Sequence, residues 1–160
     1  MIQFKHIMEL NTFLQENDSY NFIIVKGENN ERILKEKIHH TINDNNYDDL
    51  KDYDFTDSKI KECQINGCSN TTNKYRNILL KIYNEISCGT RIIKKTKLNI
   101  KTIKFEEQGF NYVNNLGISF QNVNANKCLL EIINQCIENN IKLNLSVQLK
   151  DHATMINIVV

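Results

Sequence analysis

The chain has 160 residues, 20 Lys and Arg against 19 Asp and Glu, a formal net charge of +1 and 41% hydrophobic residues. This is the composition of a soluble globular chain long enough to build one core, and a single domain over 1–160 is expected. No stretch approaches the roughly 20 apolar residues of a membrane span, and the start "MIQFKHIMEL" holds no apolar run of signal-peptide length. Five cysteines at irregular spacing argue against a disulfide framework and suit a reducing, cytoplasmic setting. Pro and Trp are absent and only Ala125 and Ala153 are alanines, while Asn, Ile and Lys are abundant. An AT-rich coding bias accounts for that skew, and a viral or phage protein made in a host cytoplasm would share the reducing, disulfide-free character.

In chain order, Phe4, Ile7, Met8, Leu10 and Phe13 recur at helical spacing and predict a first amphipathic helix over 3–16. "YNFIIVKG" reads as a buried strand ended by Gly27, and Ile33, Leu34, Ile38 and Ile42 predict a helix over 30–43. Residues 44–62 carry seven Asp and Glu against three Lys, a net of −4. They predict an acidic connector, at about 44–59, with Leu50, Tyr53 and Phe55 as its anchors, followed by a short strand over 60–65. Tyr75, Ile78, Leu79, Ile82, Tyr83 and Ile86 then form one apolar helix face from about Thr72 to Ser87.

From Arg91 to Phe105 the pattern predicts a strand with Lys95, Lys97 and Lys101 on one face. "EEQG" makes its hairpin loop, with Gly109 available for positive φ, and a return strand places Phe110, Tyr112, Leu116, Ile118 and Phe120 on one face. A helix over 126–138, a strand of strict alternation over 141–149, the turn "DHAT" and a last strand over 155–160 complete the chain. The expected order is α-β-α-(β)-α-β-β-α-β-β. The fold class is α+β, a mainly antiparallel sheet with helices packed on one face.

The charge is segregated. Residues 72–104 hold nine Lys and Arg against Glu85 alone, a net of +8 in a chain whose total is +1. Such clustering builds a local positive field. Strand residues two apart stand about 6.5 to 7 Å apart on one face, a spacing that suits successive phosphates. Arg76, Arg91, Lys94, Lys95, Lys97 and Lys101 are therefore the candidate nucleic-acid-binding residues of a non-enzymatic protein that contacts the backbone, RNA or DNA, with little sequence specificity. The structural alternative is an edge strand lined with Lys against aggregation, or an acidic connector lying over the basic strand.

The alternative function is a protein–protein module, of inhibitor, immunity or assembly type, that offers an exposed sheet face or edge to an acidic partner. The uncharged last strand, "MINIVV", is the candidate edge for a homodimer. A third reading, ranked last, is a small enzyme using His39, His40 or a cysteine. Cys63 and Cys68 beside His39 and His40 have loose spacing for zinc, and Glu106, Glu107, Asp151 and His152 fall in turns. No cofactor or metal is expected.

Overall fold

A computed structural model describes residues 2–3, 22–26, 32–44, 46–88 and 96–160. The strict alternation of the C-terminal half forms strands β10 (Leu143–Gln148) and β11 (Thr154–Val159), which pair antiparallel from Asn144 opposite Val159 to Gln148 opposite Met155. Period two sends Leu143, Leu145 and Val147 to the same side as Ile156 and Ile158, and all five are buried. β10 also pairs antiparallel with β5 (Lys59–Ile65), with a bulge beside Ser146 and Val147, and β5 pairs with the two-residue β6 (Cys68–Ser69). β11 pairs parallel with β4 (Ile38–Ile42), so the sheet order is β4-β11-β10-β5-β6.

Two helices supply the other half of the core. α1 (Tyr75–Cys88) buries Tyr75, Ile78, Leu79, Ile82, Tyr83 and Ile86, and α2 (Ala125–Asn139) buries Cys128, Leu129, Ile132, Ile133 and Cys136. The Asn124 side chain accepts the Lys127 backbone N–H to cap the start of α2, and Asn140, in the left-handed conformation, closes its end. The helices and the inward face of the five-stranded sheet share one hydrophobic cluster. Between β4 and β5 the acidic stretch is ordered: a 3-10 helix spans Tyr47–Asp52, and Leu50 and Phe55 are buried in that cluster.

Two three-stranded sheets complete the description. β1 (Ile2–Gln3), β2 (Phe22–Lys26) and β3 (Arg32–Glu36) pair antiparallel in the order β1-β3-β2. β7 (Ile100–Lys101), β8 (Phe110–Val113) and β9 (Ile118–Gln121) pair antiparallel in the order β7-β9-β8. The molecule is α+β, as the sequence predicts.

Several expected elements change. The helix expected over 30–43 is instead the two strands β3 and β4. A spacing of four residues, as in Ile38 and Ile42, puts both side chains on one face in either period, and pairing with β11 decides for the strand. The expected return strand over 110–120 is two strands, because Asn114 to Gly117 make a turn with Gly117 at φ 64°. β7 and β8 are each paired to β9 and not to one another, so "EEQG" is not a hairpin loop, although Gly109 does take a positive φ of 77°. The last strand is no edge: β11 lies between β4 and β10, which removes the basis for a homodimer through it. The helix expected over 3–16 lies outside the described residues, apart from Gln3 in β1.

The β10–β11 turn depends on one carboxylate. Asp151 accepts hydrogen bonds from the backbone N–H groups of Ala153 (3.0 Å) and Thr154 (2.9 Å) and from the Thr154 hydroxyl (2.6 Å). Burial works against the ionised carboxyl, but these bonds and the nearby Lys35 outweigh it and hold Asp151 below its usual range. A depressed carboxyl contributes stability that is present above its unfolded pKa, about 4, and is lost as pH falls through the folded value. Asp151→Ala is expected to lower stability by about 1 kcal/mol at neutral pH, with the gap closing in acid, as followed by urea denaturation from pH 7 to pH 2.5.

Candidate nucleic-acid interface

The small sheet β7-β9-β8 has two unlike faces. Ile118, Phe120, Ile100 and Val113 turn inward; Ile118 belongs to the hydrophobic cluster, and Ile100 and Val113 pack against it. Lys101, Phe110, Tyr112, Ser119 and Gln121 occupy the other face by alternation. There the 102–109 loop folds back over the sheet. The Ser119 hydroxyl accepts the Phe105 backbone N–H at 2.8 Å and donates to the Ile103 carbonyl at 2.8 Å, and Ser119 is fully buried beneath the loop. Phe105 meets Phe110 edge to face with ring centroids 5.2 Å apart. The Lys101 ammonium sits 3.1 Å from the Phe105 centroid and 4.9 Å from that of Phe110, a cation–π arrangement, and Lys104 lies 5.9 Å from the centroid of the half-buried Tyr112.

A buried acid ties this sheet to the helices. Glu131 of α2 is 2% exposed, and among the described residues its carboxylate has no cationic partner. Oε1 accepts from the Tyr83 hydroxyl of α1 (3.1 Å) and from Gln135 Nε2 (2.9 Å), while Oε2 accepts the Lys97 backbone N–H (3.2 Å). Tyr83 also contacts the Thr96 hydroxyl at 3.3 Å. Burial, with the Glu131 carboxylate nearby, pushes the Tyr83 phenol well above its usual range, so it stays a donor.

The predicted cations separate. Arg91, Lys94 and Lys95 lie outside the described residues. Lys97 is exposed but not in a strand, because its backbone N–H is committed to Glu131 and regular pairing begins only at Ile100. The expected row of strand lysines is therefore reduced, among the described residues, to Lys101 in a two-residue strand, and Lys101 is held against two phenylalanine rings. Arg76 stands 4.7 Å over the Phe120 ring and donates to Asn122 Oδ1 at 3.3 Å, on the rim of a cleft of about 290 Å³ that Lys74 also lines. Lys81 leaves this region and donates to Asn70 Oδ1.

The acidic connector reaches the cleft that Lys74 and Arg76 line, through Asp57 and Ser58, but among the described residues it makes no ion pair with the basic segment. Its ion pairs are Asp48 with Lys51 and Asp57 with Lys150, and Asp54 accepts from Asn126. Among the described residues Lys74, Arg76, Lys81, Lys97 and Lys101 have no carboxylate partner; Lys104 alone of that stretch has one, Glu106 at 3.6 Å. Lys104, Phe105 and Tyr112 were not candidates from periodicity. The turn signal "NNLG" at 114–117 is what separates outward Tyr112 from inward Ile118 and Phe120.

Other chemistry is not assembled. Cys63 points into the core while Cys68 is exposed, and His39 and His40, as neighbours on β4, face opposite sides, with His40 beside Tyr53 at 5.5 Å. No three His, Cys, Asp or Glu among the described residues come together as a metal site. Burial pushes the thiols of Cys128 and Cys136 up to about 12, so both stay protonated at neutral pH. No helix among the described residues is long and apolar enough to cross a membrane. No protein-family model, curated protein or solved structure matches the chain.

Glu131→Ala strands the Tyr83 hydroxyl and the Lys97 N–H in a buried site. It is expected to cost about 2 to 3 kcal/mol in urea unfolding, and Glu131→Gln, which keeps an acceptor, less than half of that.

Proposed function

We propose that this chain is a non-enzymatic binding protein that holds a nucleic-acid backbone along the basic side of α1 and the small sheet, through Lys74, Arg76, Lys97, Lys101 and Lys104. Arg91, Lys94 and Lys95 belong to the same stretch of sequence and extend the same charge. The observation that carries the reading is the lack of neutralisation: the net +8 of residues 72–104 is countered, among the described residues, by one exposed pair, Lys104 with Glu106. Exposed pairs of that kind contribute little, so the cations keep their field for a polyanion. Each phosphate they neutralise releases counterions, which makes affinity fall linearly with the logarithm of salt.

The test uses variants at exposed side chains. Lys97→Glu with Lys104→Glu is expected to leave thermal unfolding unchanged within a few degrees. It should weaken binding to RNA or DNA oligonucleotides at least tenfold at low salt and reduce the log–log salt slope by about one for each lost contact. Unaltered binding, or none by the parent protein, overturns the proposal.

A second reading rests on β4. It is the edge of the five-stranded sheet; residues 38–42 contain no Lys or Pro to discourage strand addition, and Ile38 is 46% exposed. A protein partner extending that edge is the corresponding proposal. Ile38→Lys would abolish such a complex in sedimentation velocity and leave nucleic-acid binding intact.

A further inference from the structure

We infer that the outer face of the small sheet is a stacking site for an unpaired base, with Tyr112 as the platform and Lys104 and Lys101 taking the adjacent phosphates. The inference rests on the nucleic-acid reading above and narrows it from any backbone to a single strand.

The rings on this face are not equivalent. Phe110 is 9% exposed and covered by Phe105, whose own face is occupied by the Lys101 ammonium. Tyr112, two residues along β8, is outside that closed set. Its side chain is half-buried, its hydroxyl has no partner among the described residues, and the Lys104 ammonium lies over its ring at the long distance of 5.9 Å. An aromatic ring held by a sheet is rigid, and among the described residues the Tyr112 face is met only by the distant Lys104 ammonium, which is exposed and can swing to a phosphate. Ile103, on the loop that crosses the same face, is 63% exposed.

The flanking charge selects the ligand. A plain apolar peptide would bring no anion to the Lys101 and Lys104 ammoniums, and a polyanion without rings would bring nothing to stack on Tyr112. A nucleotide carries a flat π-surface and a phosphate a few Å apart and meets both. In a duplex the base faces are stacked on one another, so only an unpaired strand has one to offer. Glu106 is the opposing element. It lies 3.6 Å from Lys104, exposed, and an incoming phosphate must compete with it.

The chain contains no tryptophan, so Tyr112→Trp introduces a single indole at the platform. Titration with oligo-uridine and oligo-thymidine 12-mers is expected to quench that emission, while a matched duplex and heparin, a polyanion without bases, leave it unchanged. Tyr112→Leu keeps the apolar burial and removes the π-face; it is expected to bind the 12-mers about tenfold more weakly with the salt slope preserved. Glu106→Gln is expected to tighten binding several-fold.

If the duplex binds as tightly as the single strands, or Tyr112→Leu binds them as the parent does, the stacking site is overturned while the salt-dependent backbone reading stands. Equal quenching by heparin overturns it likewise. Failure of the parent protein to bind any of these probes at low salt overturns both.

Discussion

The arrangement turns on a carboxylate that is buried, among the described residues, without a counter-ion. An isolated ionised group in a protein interior is costly, and it is tolerated only where donors converge on its lone pairs. Glu131 satisfies that condition with groups from three places: the Tyr83 hydroxyl on α1, Gln135 one turn along its own helix, and the backbone N–H of Lys97. None of these donors is itself charged. The acid thereby fastens the segment that enters the small sheet to the middle of the helix pair, and it does so by the backbone of Lys97, leaving that residue's ammonium in solvent. A lysine side chain as the partner would have satisfied the carboxylate equally well and removed a cation from the surface.

That anchorage sets the division of labour downstream. Because Lys97 gives its N–H to Glu131, the ladder with β9 begins late among the described residues: Asn99 contributes its carbonyl to the Gln121 N–H at 3.1 Å, and Ile100 and Lys101 form the regular pairs. The chain then leaves the sheet, and Ser119 brings it back over the outer face by bonding both to Ile103 and to Phe105. A serine in mid-strand, fully buried, makes sense only with this loop in place. The returning loop carries Phe105 onto Phe110 and so creates the seat of Lys101. Lys101 is thus a fixed cation, and Lys97 an exposed one with no side-chain partner among the described residues.

Much of this was legible in the sequence, and the part that was not has a common physical origin. The helix faces of α1 and α2 and the alternation of β10 were readable because each pattern fits one period and fails the other over many residues; Tyr75 to Ile86 cannot line one side of a strand. The failures fall where a pattern fits both periods or where a turn is read through. Ile38 and Ile42 share a face in a helix and in a strand alike, so only the parallel partner β11 distinguishes them. "NNLG" has apolar residues on both sides, so a single strand read through it puts Tyr112 on the face of Ile118 and Phe120, whereas the turn puts Tyr112 on the opposite face. The lysine row failed for a different one: its regularity presumed a ladder that a long-range bond from Glu131, 34 residues away, prevents. No local pattern contains that information.

The separation of charge follows from the same economy. The acidic stretch is pinned by Leu50 and Phe55 in the core, and three of its carboxylates, Asp48, Asp57 and Asp54, are taken up by Lys51, Lys150 and Asn126, none of them in the basic segment. Leaving opposite charges apart costs a protein little, since exposed pairs contribute at most about 1 kcal/mol and screening reduces the attraction beyond a Debye length of about 8 Å. What is retained is a set of cations that a polyanion can neutralise together, with a gain from released counterions that grows with each contact. A near-neutral total is therefore no measure of what this surface can attract; the sign and spacing of the charges left unpaired are.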